Sequence, residues 1–356
     1  QNASDITNLI NSGTISGTAS STNGKGIRLT NTSTITNLTN DGTISATTGT
    51  SNGSGIGLFT SEITTLTNND TISATTGTSN GDGIVLFTNS EITTLTNDGT
   101  ISGTAGTSSG RGISLFTNSK ITNLINNDTI SGTATGTSNG RGIALFTNSE
   151  ITTLTNDGTI SATAGDVNAE GIRLSNSKIT NLTNNDSISG TAGTSNGRGI
   201  ALFGTSEITN LTNNDTISAT TGTSNGQGIL LQTASTIGTL TNTGTISGTA
   251  GNDGGVGVYV DTSTLTTLTN SGTITGTAAG DVGAGVIVDD GGTLTTLTNS
   301  GTITGIATNG GGGVIVDDSS TLTTLTNSGT ITGTSTGNEG YGVFLQETST
   351  LTTLTN

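Results

Sequence analysis

The sequence predicts an all-β chain folded as a single-stranded parallel β-solenoid, about 12 coils of 28–30 residues with three short strands per coil. Three observations predict it. Apolar residues recur at one fixed period along the whole chain, they fall at i and i+2 within short runs, and Gly or Asn-Asp-Gly clusters bound each run.

The period is read from the aliphatic residue opening each ITNL or LTTL segment. It falls at Ile6, Ile35, Ile63, Ile92, Ile121, Ile151, Ile179, Ile208, Ile237, Leu265, Leu294, Leu322 and Leu351, in steps of 29, 28, 29, 29, 30, 28, 29, 29, 28, 29, 28 and 29. Leu follows every anchor by three residues and Asn by five, while Ile follows by nine in each complete repeat. With 28% hydrophobic residues, 2% aromatic residues and 57 glycines, composition alone resembles disorder. Disorder does not fix apolar residues in columns, so the period decides for a fold. The reading is one continuous solenoid over 1–356, with Ile/Leu/Phe-type coils to 235 and Leu/Val-type coils with acidic turns over 236–356.

The first strand of a coil is of the type Thr65-Leu66-Thr67-Asn68, the second Thr71-Ile72-Ser73-Ala74 and the third Ile84-Val85-Leu86-Phe87. β-Branched residues suit all three. A single coil has too few apolar residues to offset the entropy of ordering it, so stacking has to supply the stability. At about 4.8 Å per coil, twelve coils would make a rod on the order of 60 Å long.

The polar punctuation follows from the same pattern. Alternation puts Leu66 and Asn68 on one side, so the Asn column faces inward at a corner and can form a carboxamide ladder. Its members are Asn11, Asn40, Asn68, Asn97, Asn126, Asn156, Asn184, Asn213, Asn242, Asn270, Asn299, Asn327 and Asn356. The alternative is that Asn tolerates a left-handed turn there. The Gly-x-Gly before the third strand, as in Gly24-Lys25-Gly26, recurs without a following helix, so it reads as a corner needing positive φ and not as a phosphate loop. The stretch before it, such as Gly77-Thr78-Ser79-Asn80, varies most and should be the protruding loop. Glu62, Glu91, Lys120, Glu150, Lys178 and Glu207 form a charged column that reads as a solvated edge.

Phe59, Phe87, Phe116, Phe146 and Phe203 form a further column, one residue past an inward Leu. It is either a ring stack at a bend or an exposed stripe for lateral contact. In the later coils Asp289, Asp290, Asp317 and Asp318 are candidate calcium ligands, with solvated turn residues as the other reading. They lack the GGxGxD spacing of calcium-binding nonapeptide repeats. No other cofactor is indicated.

Catalysis finds no support. With no His and no Cys, the usual zinc ligands, the Ser-His-Asp and Cys-His sets and disulfides are excluded. A polysaccharide-cleaving groove would need clustered acids with aromatic platforms, and no catalytic residue is assigned. A charge of −16 opposes contact with nucleic acid or anionic membranes, and no apolar run is long enough to span a bilayer.

The GTISGTA and ITNLTNDGTIS phrases, as at Gly13-Thr14-Ile15-Ser16-Gly17 and Asn270-Ser271-Gly272-Thr273-Ile274, resemble the passenger repeats of Gram-negative autotransporters and filamentous-haemagglutinin-like adhesins. The resemblance covers essentially the whole chain. It implies a secreted β-helix at the cell surface of a Gram-negative bacterium, serving as adhesin, stalk, or carrier of a protease or esterase domain, the last disfavoured because no long insertion separates the coils. The chain begins inside one repeat and ends on Asn356 inside another, which reads as a segment of a longer array or a unit stacking end to end. The expected function is therefore an extracellular structural or adhesive fibre without catalysis. It would associate with itself end to end or laterally, or with a host or neighbouring-cell surface.

The alternative is an ice-binding protein presenting Thr-x-Thr pairs from the first strand: Thr65/Thr67, Thr94/Thr96, Thr153/Thr155, Thr239/Thr241, Thr267/Thr269, Thr296/Thr298 and Thr324/Thr326. Asn8, Asn37, Asn123, Asn181 and Asn210 interrupt that array, as do Ile10 and Ile125.

Overall fold

The computed structural model describes residues 3–356. It is a β-solenoid of about 12 coils, built from three parallel sheets with no helix among the described residues. The chain divides into two compact units, 1–181 and 182–356. The compositional change near residue 236 falls inside the second.

In the first unit a representative coil runs through the strands Glu91–Asn97, Thr100–Ala105 and Gly110–Phe116. Each strand pairs in parallel with its counterparts in the coils before and after, with the core aliphatic residues opposite their like. Leu95 lies opposite Leu66 and Leu124, Ile101 opposite Ile72 and Ile130, and Leu115 opposite Leu86 and Leu145. A one-residue slip would turn every one of these aliphatic columns out of the core, so burial fixes the register. Ile92, Leu95, Ile101, Ile113 and Leu115 are fully buried.

The second unit repeats the scheme, with Val in a third-sheet column. Leu240, Leu268, Leu297 and Leu325 stack in the first sheet, and Val258, Val286 and Val314 in the third. These residues are likewise buried to within about 1%.

Two local features depart from simple alternation. In the first strand both Ile63 and Leu66 are buried although they are three residues apart, and Thr64 has no partner in the pairing register. The strict alternation therefore breaks at this point in both paired strands without a change of register, and Thr64 and Thr65 both face outward.

The second departure corrects the expectation for Gly-x-Gly. Its glycines do not have positive φ; the left-handed glycines are Gly204, Gly254 and Gly291, all outside the motif. The motif is part of the third strand, and glycine is required there by close approach. A Cβ on Gly112 would lie 2.6 Å from Ile130 Cγ2 and 2.7 Å from the Gly142 carbonyl oxygen. The second and third sheets are packed too tightly for any side chain at this column.

The left-handed residues instead make the corner from the third strand to the next first strand, as at Thr88 (φ 53°) and Asn89 (φ 58°). Their N–H groups bond to Phe116 O and Thr117 O of the following coil, at 3.1 and 3.0 Å. Ser90 closes the corner by donating its hydroxyl to Phe87 O at 2.7 Å. Non-glycine left-handed residues are strained, and these inter-coil bonds hold them in place.

Candidate functional site

The solenoid offers an inner Asn column and three outer faces, one per sheet. The Asn column lies at the end of each first strand. In the first unit Asn11, Asn40, Asn68, Asn97 and Asn126 each donate from Nδ2 to Oδ1 of the next Asn, at 2.7–2.8 Å. In the second unit Asn184, Asn213, Asn242, Asn270, Asn299 and Asn327 do the same, the last to Asn356. The same nitrogens also reach backbone carbonyls, as Asn97 does to Thr129 O at 3.1 Å. Asn156 accepts from Asn126. From Asn11 to Asn299 the ladder side chains named here are buried, so they are not available to a ligand.

The outer face of the first sheet carries three columns, typified by Thr64, Thr65 and Thr67. Asn and Ile interrupt it, with Ile10 69% exposed. The outer face of the second sheet is more uniform. Thr100, Ser102 and Thr104 point outward between buried Ile101, Gly103 and Ala105, in register with Thr71, Ser73, Thr75 and with Thr129, Ser131, Thr133. Among the described strands every outward position of this sheet is Ser or Thr except Ile306. The strict Thr-Ile-Ser-Ala-Thr alternation carried that information, but the expected threonine array was placed on the first strand.

The third sheet differs from both, because nearly all of its residues are buried whichever way they point. In the strand Gly110–Phe116 every residue but the terminal Phe is buried. Its outer face lies in a groove walled on one side by the residue ending each third strand, which is Phe in most of the early coils.

Phe59, Phe87, Phe116 and Phe146 stack with ring centroids 5.1, 4.8 and 4.9 Å apart and interplanar angles of 17° or less. Phe203 belongs to the second unit, and the Arg198 guanidinium lies 5.5 Å from its centroid. The intervening repeat has Ser175 at this position, so four of the five phenylalanines form the stack.

In the first unit the groove holds charged side chains. Glu170 is fully buried and accepts from Arg141 Nε at 2.8 Å and Arg173 Nη1 at 2.7 Å. Asp82 pairs with Arg111 at 3.3 Å and accepts from the Ser114 hydroxyl at 2.9 Å. Arg111 also lies 5.6 Å from the Phe116 ring centroid and 5.8 Å from that of Phe146. Lys25 donates to Ser54 Oγ at 2.5 Å, and burial lowers its pKa against the opposing pull of Asp82. Burial likewise lowers that of Arg141, with Glu170 acting against it. The charged column of the first sheet is looser, and its Lys120–Glu150 pair at 3.6 Å is about one-third exposed.

In the second unit the corresponding groove is apolar and acidic. Val256, Ala284 and Ile287 are buried there, with Tyr259 and Ile315 packed against them. Its wall is the run Asp261, Asp289 and Asp317, and Tyr259 donates its hydroxyl to Asp289 at 2.8 Å. Burial, followed by that hydrogen bond, raises the Tyr259 pKa far above the usual phenol value.

One carboxylate oxygen each from Asp289, Asp317 and Asp318 lies within 4.8 Å of the others, while Asp290 is not in the group. Oδ1 of Asp289 and of Asp317 each accept the next residue's N–H, at 2.9 and 2.8 Å. Calcium takes six to eight oxygens, so these three side chains make at most part of a site.

No protein-family model, curated protein or solved structure matches the chain. The fold and its faces define a β-solenoid repeat protein. Among the described residues no helix is long and apolar enough to cross a membrane.

Proposed function

We propose that this repeat protein is a non-catalytic structural or adhesive element displayed outside a bacterial cell, as part of a fibre or stalk. The observation that carries the proposal is the sameness of the joint between coils. The same Asn-to-Asn bond recurs through each unit at 2.7–2.8 Å, beside backbone ladders in constant register. Such repetition favours stiffness and extended surface over a single reactive centre. The resemblance to autotransporter and haemagglutinin-like repeats supports an exterior location in a Gram-negative bacterium. It also supports partners that are further copies of the chain or the surface of another cell. The charge of −16 disfavours nucleic acid.

Immunogold electron microscopy of the native protein on its source cells tests the proposal. Label on filaments or stalks at the cell surface is the expected result. Dispersed label inside the cell would overturn it.

A second reading, ice binding, is favoured by the Ser/Thr columns outside the second sheet, which are unbroken over Thr43–Ala164 of the first unit. Thermal hysteresis in a nanolitre osmometer is expected on this reading, and its loss on Thr104→Lys would assign the face. Absence of hysteresis and of recrystallisation inhibition would dismiss the reading.

A further inference from the structure

The groove outside the third sheet opens, within the second unit, into a cavity of about 370 Å³. That volume lies within the range of small-ligand sites. Its floor is two columns of the sheet. Tyr259, Ile287, Ile315 and Phe344 lie opposite one another in successive coils, and so do Val256, Ala284, Gly312 and Tyr341. Four coils at about 4.8 Å make the floor roughly 14 Å long between its first and last strands. Gly312 makes room in the second column for the Ile315 side chain: a Cβ on it would lie 2.5 Å from Ile315 Cγ1.

Both walls are acidic. Asp289 and Asp317 line one side; Asp253, at the start of the strand Asp253–Asp261, and Asp281, just before the strand Val282–Asp289, line the other. No Lys or Arg occurs anywhere between Gly199 and Asn356, so nothing in this part of the chain neutralises them. Like charges stacked at the coil spacing repel, which leaves an uncompensated negative field over an apolar floor. A neutral sugar would leave that repulsion in place. A bare divalent ion would leave the apolar floor unused.

We propose that this cavity binds a linear amphipathic polycation of the aliphatic polyamine type. Its methylene segments lie on the floor formed by Ile287, Ile315 and Phe344, and its ammonium groups reach Asp281 on one wall and Asp289 and Asp317 on the other. The apolar contact supplies affinity that is insensitive to salt, and the carboxylates supply selection for positive charge.

Isothermal titration of the full chain with spermine tests this, with calcium alone and maltohexaose as parallel titrants. Saturable binding of one spermine per chain is expected. Asp281→Asn should weaken it about tenfold, the loss expected of one charge-assisted contact. Ile315→Gln, which leaves the charge unchanged, should weaken it several-fold. Asp215→Asn, an acid outside the cavity, should leave it unaltered. Thermal melts of each variant establish that it is folded. Non-saturable spermine uptake, or equal losses from Asp215→Asn and Asp281→Asn, would overturn the proposal. So would maltohexaose binding more tightly than spermine, or calcium binding where spermine does not.

Discussion

Asn97 donates its side-chain N–H to Oδ1 of Asn126 in the next coil at 2.8 Å, and both side chains are fully buried. Asn97 also accepts from Asn68, so one residue joins three coils. Asn97→Ala removes a donor and an acceptor from buried partners, at about 1–3 kcal/mol for each group left unsatisfied. Amide hydrogen exchange in the flanking strands should accelerate, with little change four coils away, because repeat arrays open locally. Unchanged protection of the amides around Asn68 and Asn126 would contradict the ladder's role.

Gly112 separates two explanations of a recurrent glycine. If close packing excludes a side chain, Gly112→Ala destabilises by about 1–3 kcal/mol through overpacking. Gly13 has no atom within 4 Å of a Cβ built on it, and Gly13→Ala should be near neutral or mildly stabilising. Comparing the two by thermal unfolding checks the point, and equal melting temperatures would refute it.

Glu170 sits between Arg141 and Arg173 with its side chain fully buried. Glu170→Gln leaves buried positive charge uncompensated and should cost about 3–5 kcal/mol. Replacing all three together by apolar residues of similar volume should recover most of that loss. Urea unfolding of the single and triple variants measures the difference, and a triple variant no better than the single one would count against this account.

Phe87 stacks on Phe59 at 5.1 Å and on Phe116 at 4.8 Å. Each such pair contributes about 0.5–1.5 kcal/mol beyond its buried area, so Phe87→Ser with Phe116→Ser should lower the melting temperature. Sedimentation of the same variant distinguishes the roles of the column. An unchanged association state assigns it to internal stability, whereas lost association assigns it to lateral contact.

The acidic turns predict a pH dependence. Asp289 is the main cause of a raised Asp290 pKa, and Asp318 of a raised Glu347 pKa, first through a hydrogen bond and then through charge. A carboxyl raised in the folded state binds more protons folded than unfolded, just above its ordinary pKa. Its stabilising contribution is complete below the unfolded pKa and lost as pH rises through the folded one. The second unit should therefore melt higher just above the ordinary carboxylate range than at pH 7. Asp290→Asn should narrow that difference. Differential scanning calorimetry across this range checks the sign, and a higher melting temperature at pH 7 would be the opposite result.

The sequence made the strand pattern legible because the core columns recur in every repeat: Leu66, Ile72, Ile84 and Leu86 identify themselves by position alone. The acidic cavity was not legible in the same way. Its floor residues, Tyr259, Ile287 and Ile315, occupy outward positions of the third strand, a face that alternation alone would leave to solvent and that the structure largely buries. The signal available was apolar residues at both parities, as in Val256-Gly257-Val258-Tyr259-Val260. Gly112 was misread for a related reason. A glycine forced by a neighbouring sheet looks the same in sequence as one forced by positive φ.

Pairs of spin labels along one outer column test the stacked-coil arrangement most directly. Thr47, Thr75, Thr104, Thr133 and Thr163 occupy the same outward position in five successive coils of the first unit. With one label on Thr47→Cys and the other on Thr104→Cys, Thr133→Cys or Thr163→Cys, the backbone separation should rise by about 4.8 Å per coil, from roughly 10 to 14 to 19 Å. Electron–electron resonance distances following that line, whether a step spans 28, 29 or 30 residues, are the predicted result. Broad distributions, or distances that track residue count and not coil number, would contradict the solenoid.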